Sequence, residues 1–261
     1  MQDRFQALLK RRLQVEIESR PPLFPWETEI QEYPTEALGL SGGTVWLKQL
    51  QNLDLPVALP EEVLSALLKK CQAIAQSSLK QGVKLIQAVE PLFPEQPQTL
   101  DRIAGMVLAN AGAVRSTAAA PPLAELAGGY EAANPQQQIA LAMLAAQELL
   151  KTLSLTVSPQ NSQRSRQWLT DQGTVQLTAT YQSEPAKELV VQVDLPCGGE
   201  IHLAETGTEG TELSAQRSQV GQMALSLSDP KLGQRYQVCI TVTDAAEPLI
   251  FSLQVVDEAV G

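Results

Sequence analysis

Cys197 and His202 are the residues to weigh first, because a thiol and an imidazole held together make a nucleophile and its base. They stand five positions apart in "CGGEIH". Gly198 and Gly199 would put the thiol on a turn, but His202 falls in a stretch that reads as a strand, and only a tight turn would return it to Cys197. A solvent-facing strand histidine is the expected outcome. It is the only histidine in the chain, and the three cysteines, Cys71, Cys197 and Cys239, are widely spaced with no CxxC pair. Neither a disulfide framework nor a zinc site is expected, and no carboxylate pair stands at metal-ligand spacing.

Phosphate and acyl chemistry fare no better. The glycine-rich stretches "SGGTVW", "LAGGYE" and "PCGGEI" lack the lysine of a phosphate-binding loop and the GxGxxG spacing of a dinucleotide turn, so they read as turns. Ser158, Ser162 and Ser165 are not set in a GxSxG elbow and have no histidine to act as base. The sequence therefore points to a protein that is not an enzyme, with no catalytic residue, cofactor, metal or small-molecule substrate.

What remains is a surface. Pro-Leu-Phe-Pro occurs twice, in "PPLFPWE" at 21–27 and "EPLFPEQ" at 90–96, each after a helix-like stretch. Proline ends a helix, and an apolar pair beside it folds back over the last turn, which accounts for both copies as packing. The first copy also begins an aromatic, acid-rimmed strip, with Leu23, Phe24, Trp26 and Tyr33, and Trp46 further on. Aromatics are only 4% of the chain, so this clustering marks the strip as a candidate partner-binding surface.

Composition narrows the partners. With 29 acidic residues against 19 basic, the net charge is −10, which disfavours nucleic acid and anionic membrane faces. Lys10, Arg11 and Arg12 read as the solvated face of a helix. The longest apolar helical segment, "IALAMLAAQELL", has 12 residues, well short of the ~20 needed to cross a bilayer. The charged start "MQDRFQALLKRRLQ" leaves no room for an export signal, so a cytoplasmic protein with protein partners is expected.

The elements that must present such a surface fall into two halves. Helical periodicity runs through Met1 to Glu18, through Leu59 to Val89 with Gly82 as a possible bend, through Thr99 to Asn110 capped by Thr99, and through Pro135 to Leu153 capped by Asn134 with Gln137 at the capping-box position. From Val175 onward the period is two. Val175–Tyr181, Leu189–Leu195, Ile201 with Leu203, Leu225 with Leu227, Tyr236–Val242 and Leu249–Val255 alternate apolar and polar, predicting six or seven antiparallel strands with one wet face. The expected fold is α+β in two domains: helices over 1–157, a polar linker over 158–167, and an antiparallel β-sandwich of immunoglobulin-like size over 168–261.

The runs "EIESRPPLFPWETEIQEYP", "LPEEVLSALLKKCQAIAQSSLKQGVKLIQAVEPLFPEQPQTL" and "YEAANPQQQIALAMLAAQELLKTLSLTVSP" resemble a cyanobacterial group of the PatU type. That family is tied to heterocyst patterning, so the resemblance implies a regulatory role in cell differentiation; it carries no single functional residue over. Function is thus expected to be that of a regulator or adaptor acting through protein contacts, with an assembly factor of a photosynthetic or carbon-handling complex as the alternative.

Overall fold

Apolar residues at three-and-four spacing give the first half its helices. The computed structural model describes residues 44–111, 129–207, 212–243, 245 and 247–257. Within them run α1 (Thr44–Gln51), α2 (Glu61–Ala75), α3 (Gln81–Val89), a 3₁₀ turn (Glu90–Leu92), α4 (Pro97–Ala111), the short α5 (Gly129–Ala132) and α6 (Pro135–Thr152). The expected helix over Met1 to Glu18 lies outside the described residues. Helix α6 buries Ile139 to Met143, Ala145, Ala146, Leu149 and Leu150, so it is apolar on most of its circumference and packs against α2, α3 and α4 together. Its start is the expected capping box: Asn134 Oδ1 accepts from the Gln137 N–H and Gln137 Oε1 accepts from the Asn134 N–H, both at 3.0 Å.

Two helix boundaries differ from the sequence reading. The stretch Leu59 to Val89 is two helices, broken between Ala75 and Gln81 rather than at Gly82. Side chains close the break: Ser77 Oγ donates to the Ile74 carbonyl at 2.7 Å and Lys84 Nζ to the Ala75 carbonyl at 3.0 Å, satisfying acceptors the helix end leaves open. Gly82 serves close helix contact instead, since a Cβ there would meet Leu108 of α4 at 3.1 Å. Helix α4 begins at Pro97, two positions ahead of the expected Thr99 cap, because proline suits a first helical turn.

The second half forms nine strands among the described residues: β1 (Ser154–Val157), β2 (Gln163–Thr170), β3 (Gly173–Gln182), β4 (Glu188–Leu195), β5 (Gly199–Glu205), β6 (Glu212–Arg217), β7 (Gly221–Ser228), β8 (Arg235–Val242) and β9 (Leu249–Val255). One sheet has the order β1-β9-β8-β5-β6 and the other β2-β3-β4-β7. Every pairing is antiparallel except β1 with β9. Strands β4 and β8 alternate buried and half-buried residues throughout, the expected one-sided pattern. Their inward residues share a core in which Trp168 of β2 meets Phe251 of β9 edge to face, ring centres 6.0 Å apart. Helices therefore precede two mostly antiparallel sheets, as the sequence indicates.

The expected linker carries structure. Residues 163–167 are the first part of β2, and β1 lies inside the stretch expected to be wholly helical. All described elements belong to one compact unit, Gly42–Gly261, so the expected boundary at 158–167 falls inside it. Side chains from the helices reach the sheets at several points. The indole of Trp46 in α1 donates to the Glu247 carbonyl at 3.0 Å, and Lys69 of α2 pairs with the Glu247 carboxylate at 3.2 Å. Gln49 Oε1 accepts the Leu169 N–H at 3.0 Å, and Gln72 Oε1 accepts the Ile250 N–H at 2.6 Å. Gln76 donates to the Phe251 carbonyl at 2.9 Å, while Arg235 of β8 donates to the Ser77 carbonyl.

Trp46 is 1% exposed, so Trp46→Ala is expected to destabilise the chain by about 3–5 kcal/mol. Trp46→Phe, which keeps most of the ring volume but leaves the Glu247 carbonyl unpaired, is expected to cost about 1 kcal/mol. Denaturant unfolding of both variants checks this; a Trp46→Ala curve superimposable on the native one would contradict the assignment.

Candidate functional site

Of the residues expected to form a docking strip, Leu23, Phe24, Trp26 and Tyr33 lie outside the described residues. Trp46 does not present a surface: it is buried with its indole N–H bound to Glu247. The second Pro-Leu-Phe-Pro copy is a packing element. Its 3₁₀ turn is closed by the Phe93 N–H bonding to the Glu90 carbonyl at 3.0 Å, and Leu92 and Phe93 rest half-buried on the core.

His202 lies on β5 between carboxylates, Nε2 3.0 Å from Glu200 Oε1 and Nδ1 3.9 Å from Glu212 Oε1. Its cross-strand neighbour is Cys239 of β8, not Cys197. Burial raises the Cys239 thiol pKa, and the charge of Glu200 adds to the effect. Cys71 is sealed between α2 and α6, 3.8 Å from the Ala146 carbonyl, and burial pushes its pKa up to about 12. Both thiols are thereby held in their unreactive form. Among the described residues no group of three or more His, Cys, Asp and Glu side chains could hold a metal ion.

The feature that the sequence reading missed is a groove of about 650 Å³ where the helices meet β1 and β2. Lys84 of α3 and Lys151 at the end of α6 reach it from the helices, and Arg164 and Arg166 from β2. Strand alternation puts the two arginines on the face of β2 that also carries Trp168, so they extend that face beyond the core. Ser154 and Thr156 of β1, with Ser158 and Asn161 of the turn after it, supply neutral polar groups. Ser158 is buried and shapes this turn, its N–H bonding to the Asn161 carbonyl and its Oγ accepting the Asn161 N–H, both at 3.1 Å.

Among the described residues four cations and no carboxylate line the groove. The charges are only partly spent. Lys84 gives one of its three donors to Ala75, and its pKa is lowered, first by burial and then by the nearby charge of Arg235. Lys151 makes only a 3.6 Å surface pair with Glu148, of the kind that contributes little. Arg166 Nη1 has a long 3.4 Å contact to the Ser165 carbonyl, and its Nε is buried without an acceptor among the described residues. A buried guanidinium N–H without an acceptor is costly, and no described residue supplies Arg166 Nε with one. The arrangement can bind and orient an anion.

No protein-family model, curated protein or solved structure matches the chain.

With the Cys71 pKa at about 12 and its side chain fully buried, Cys71 is expected to resist alkylation by iodoacetamide at pH 8 in the folded chain and to react once the chain is unfolded in guanidinium. Peptide mapping by mass spectrometry reads the site. Modification of Cys71 in the folded chain at a rate close to that of a free thiol would contradict its burial.

Proposed function

We propose that this chain is a non-enzymatic regulatory or adaptor protein working through protein contacts, and that its groove receives an acidic segment of a partner. The observation that carries this reading is the groove's lining, among the described residues, of four cations and no carboxylate on a chain of net charge −10. A confined positive site within a negative molecule attracts a short acidic segment while the surrounding charge repels long polyanions. In this reading the two sheets act as an immunoglobulin-like scaffold, the protein works in the cytoplasm, and the resemblance to PatU-type proteins points to regulation of cell differentiation.

The test is fluorescence anisotropy of a labelled eight-residue glutamate-rich peptide titrated with the full chain. Binding is expected to weaken as salt is raised, because the contact is between exposed charges. The charge-reversed variant Lys151→Glu/Arg164→Glu is expected to bind at least about tenfold more weakly, with an unchanged melting curve because both side chains stand at the surface. An acidic peptide that fails to bind, or binds the reversed variant equally well, would overturn the reading.

A further inference from the structure

We propose that the groove is built to recognise a phosphomonoester, so that the acidic segment is taken up preferentially when it is phosphorylated. This rests on reading the groove as a docking site, and it adds the chemistry of the group that docks. Carboxylate and phosphate differ in two respects the lining can sense. A phosphomonoester carries about two negative charges near neutral pH and presents three acceptor oxygens, against one charge and two oxygens for a carboxylate.

The donors present match the larger demand. Arg164 and Arg166 stand two residues apart on one face of β2, which brings two planar guanidinium forks to the same wall, the group whose geometry suits bidentate contact with phosphate oxygens. Among the described residues the Arg164 guanidinium has no hydrogen-bond or ion-pair partner, and Arg166 Nε is a buried donor without an acceptor. Lys84 and Lys151 add charge from the helices, and the hydroxyls of Ser154 and Thr156 add neutral donors. A single carboxylate would leave most of these donors unused. Beside them Leu79 is 40% exposed in the groove wall, which Leu150 and Val256 also line. Apolar side chains flanking the phosphorylated residue have a surface to rest on there, which a free phosphate would not use.

The same phosphate chemistry could be offered by a protein segment or by a small phosphorylated molecule, and the experiment separates them. Four probes are titrated into the full chain by calorimetry: an acidic peptide with a central phosphoserine, the same peptide with glutamate at that position, free O-phosphoserine, and inorganic phosphate. The phosphopeptide is expected to bind at least about tenfold more tightly than the glutamate peptide, and inorganic phosphate to compete with it. The variant Arg164→Lys/Arg166→Lys keeps both charges but removes the forks. It is expected to bring the phosphopeptide down to the affinity of the glutamate peptide while leaving the latter within about twofold. O-phosphoserine binding as tightly as the phosphopeptide would support the phosphate site and assign it to a small ligand. Equal binding of the two peptides would overturn the phosphate preference while leaving the acidic-segment reading intact. Failure of all four probes would overturn both.

Discussion

Strand edges impose the constraint on which this molecule is organised. A strand at the margin of a sheet leaves every second N–H and carbonyl without a ladder partner, and each such group costs about 1–3 kcal/mol if it is buried unpaired. Strand β2 is an edge strand, and β1 pairs with β9 only from Ser252 to Val255, so the first part of β9 is an edge as well. Ser252 gives its N–H to the Leu153 carbonyl, and Ile250, two residues earlier, points its N–H to the same side, where no strand remains. Helices fill both gaps with side-chain amides: Gln49 accepts from Leu169 of β2 and Gln72 from Ile250 of β9. This explains why Gln72, a polar residue, is buried on the inner face of α2.

The groove follows from that docking. With α2 fixed along β9, its C-terminal turn is held by Arg235 at the Ser77 carbonyl and by Gln76, whose Oε1 accepts from Thr206 Oγ1 at 3.2 Å. Lys84 then ties the start of α3 to the end of α2, so α3 begins beside β1. The end of α6 leads into β1 through Leu153, and β2 runs past as the far wall. Four cations from three separate elements are gathered there, although they are spread over about eighty positions of sequence. Burial first, and then the charge of Arg235 beyond the groove lining, lower the pKa of Lys84.

The sequence displayed the parts of this structure that repeat. Helical spacing marked the buried faces of α2, α4 and α6, the capping box at Asn134 was readable from three residues, and alternation marked β3, β4, β8 and β9. It failed where an element is polar on both sides or too short to show a period. In "SQRSRQ" the absence of apolar residues reads as a linker, yet Arg164 and Arg166 form one side of β2 and have a groove rather than a core to face. Strand β1 is only four residues long and follows α6 without a break signal. Strand β6, with exposed and half-buried residues alone, offers no buried stripe to detect. The groove was hidden for a related reason, since its cations belong to elements whose neighbourhood only tertiary packing creates. Trp46 misled for the opposite reason: a rare aromatic suggests a surface anchor, whereas its indole N–H found a carbonyl two hundred residues away and allowed full burial.

Hydrogen exchange at single amides tests most directly whether the helices complete the sheets. If Gln49 and Gln72 replace missing strands, the Leu169 and Ile250 amides exchange as slowly as the ladder amides of β3 and β8. Gln72→Ala then speeds Ile250 alone by roughly tenfold or more while Leu169 stays protected, as loss of one hydrogen bond of about 1–3 kcal/mol requires. Fast exchange of both amides in the native chain, at the rate of an open sheet edge, would contradict the account.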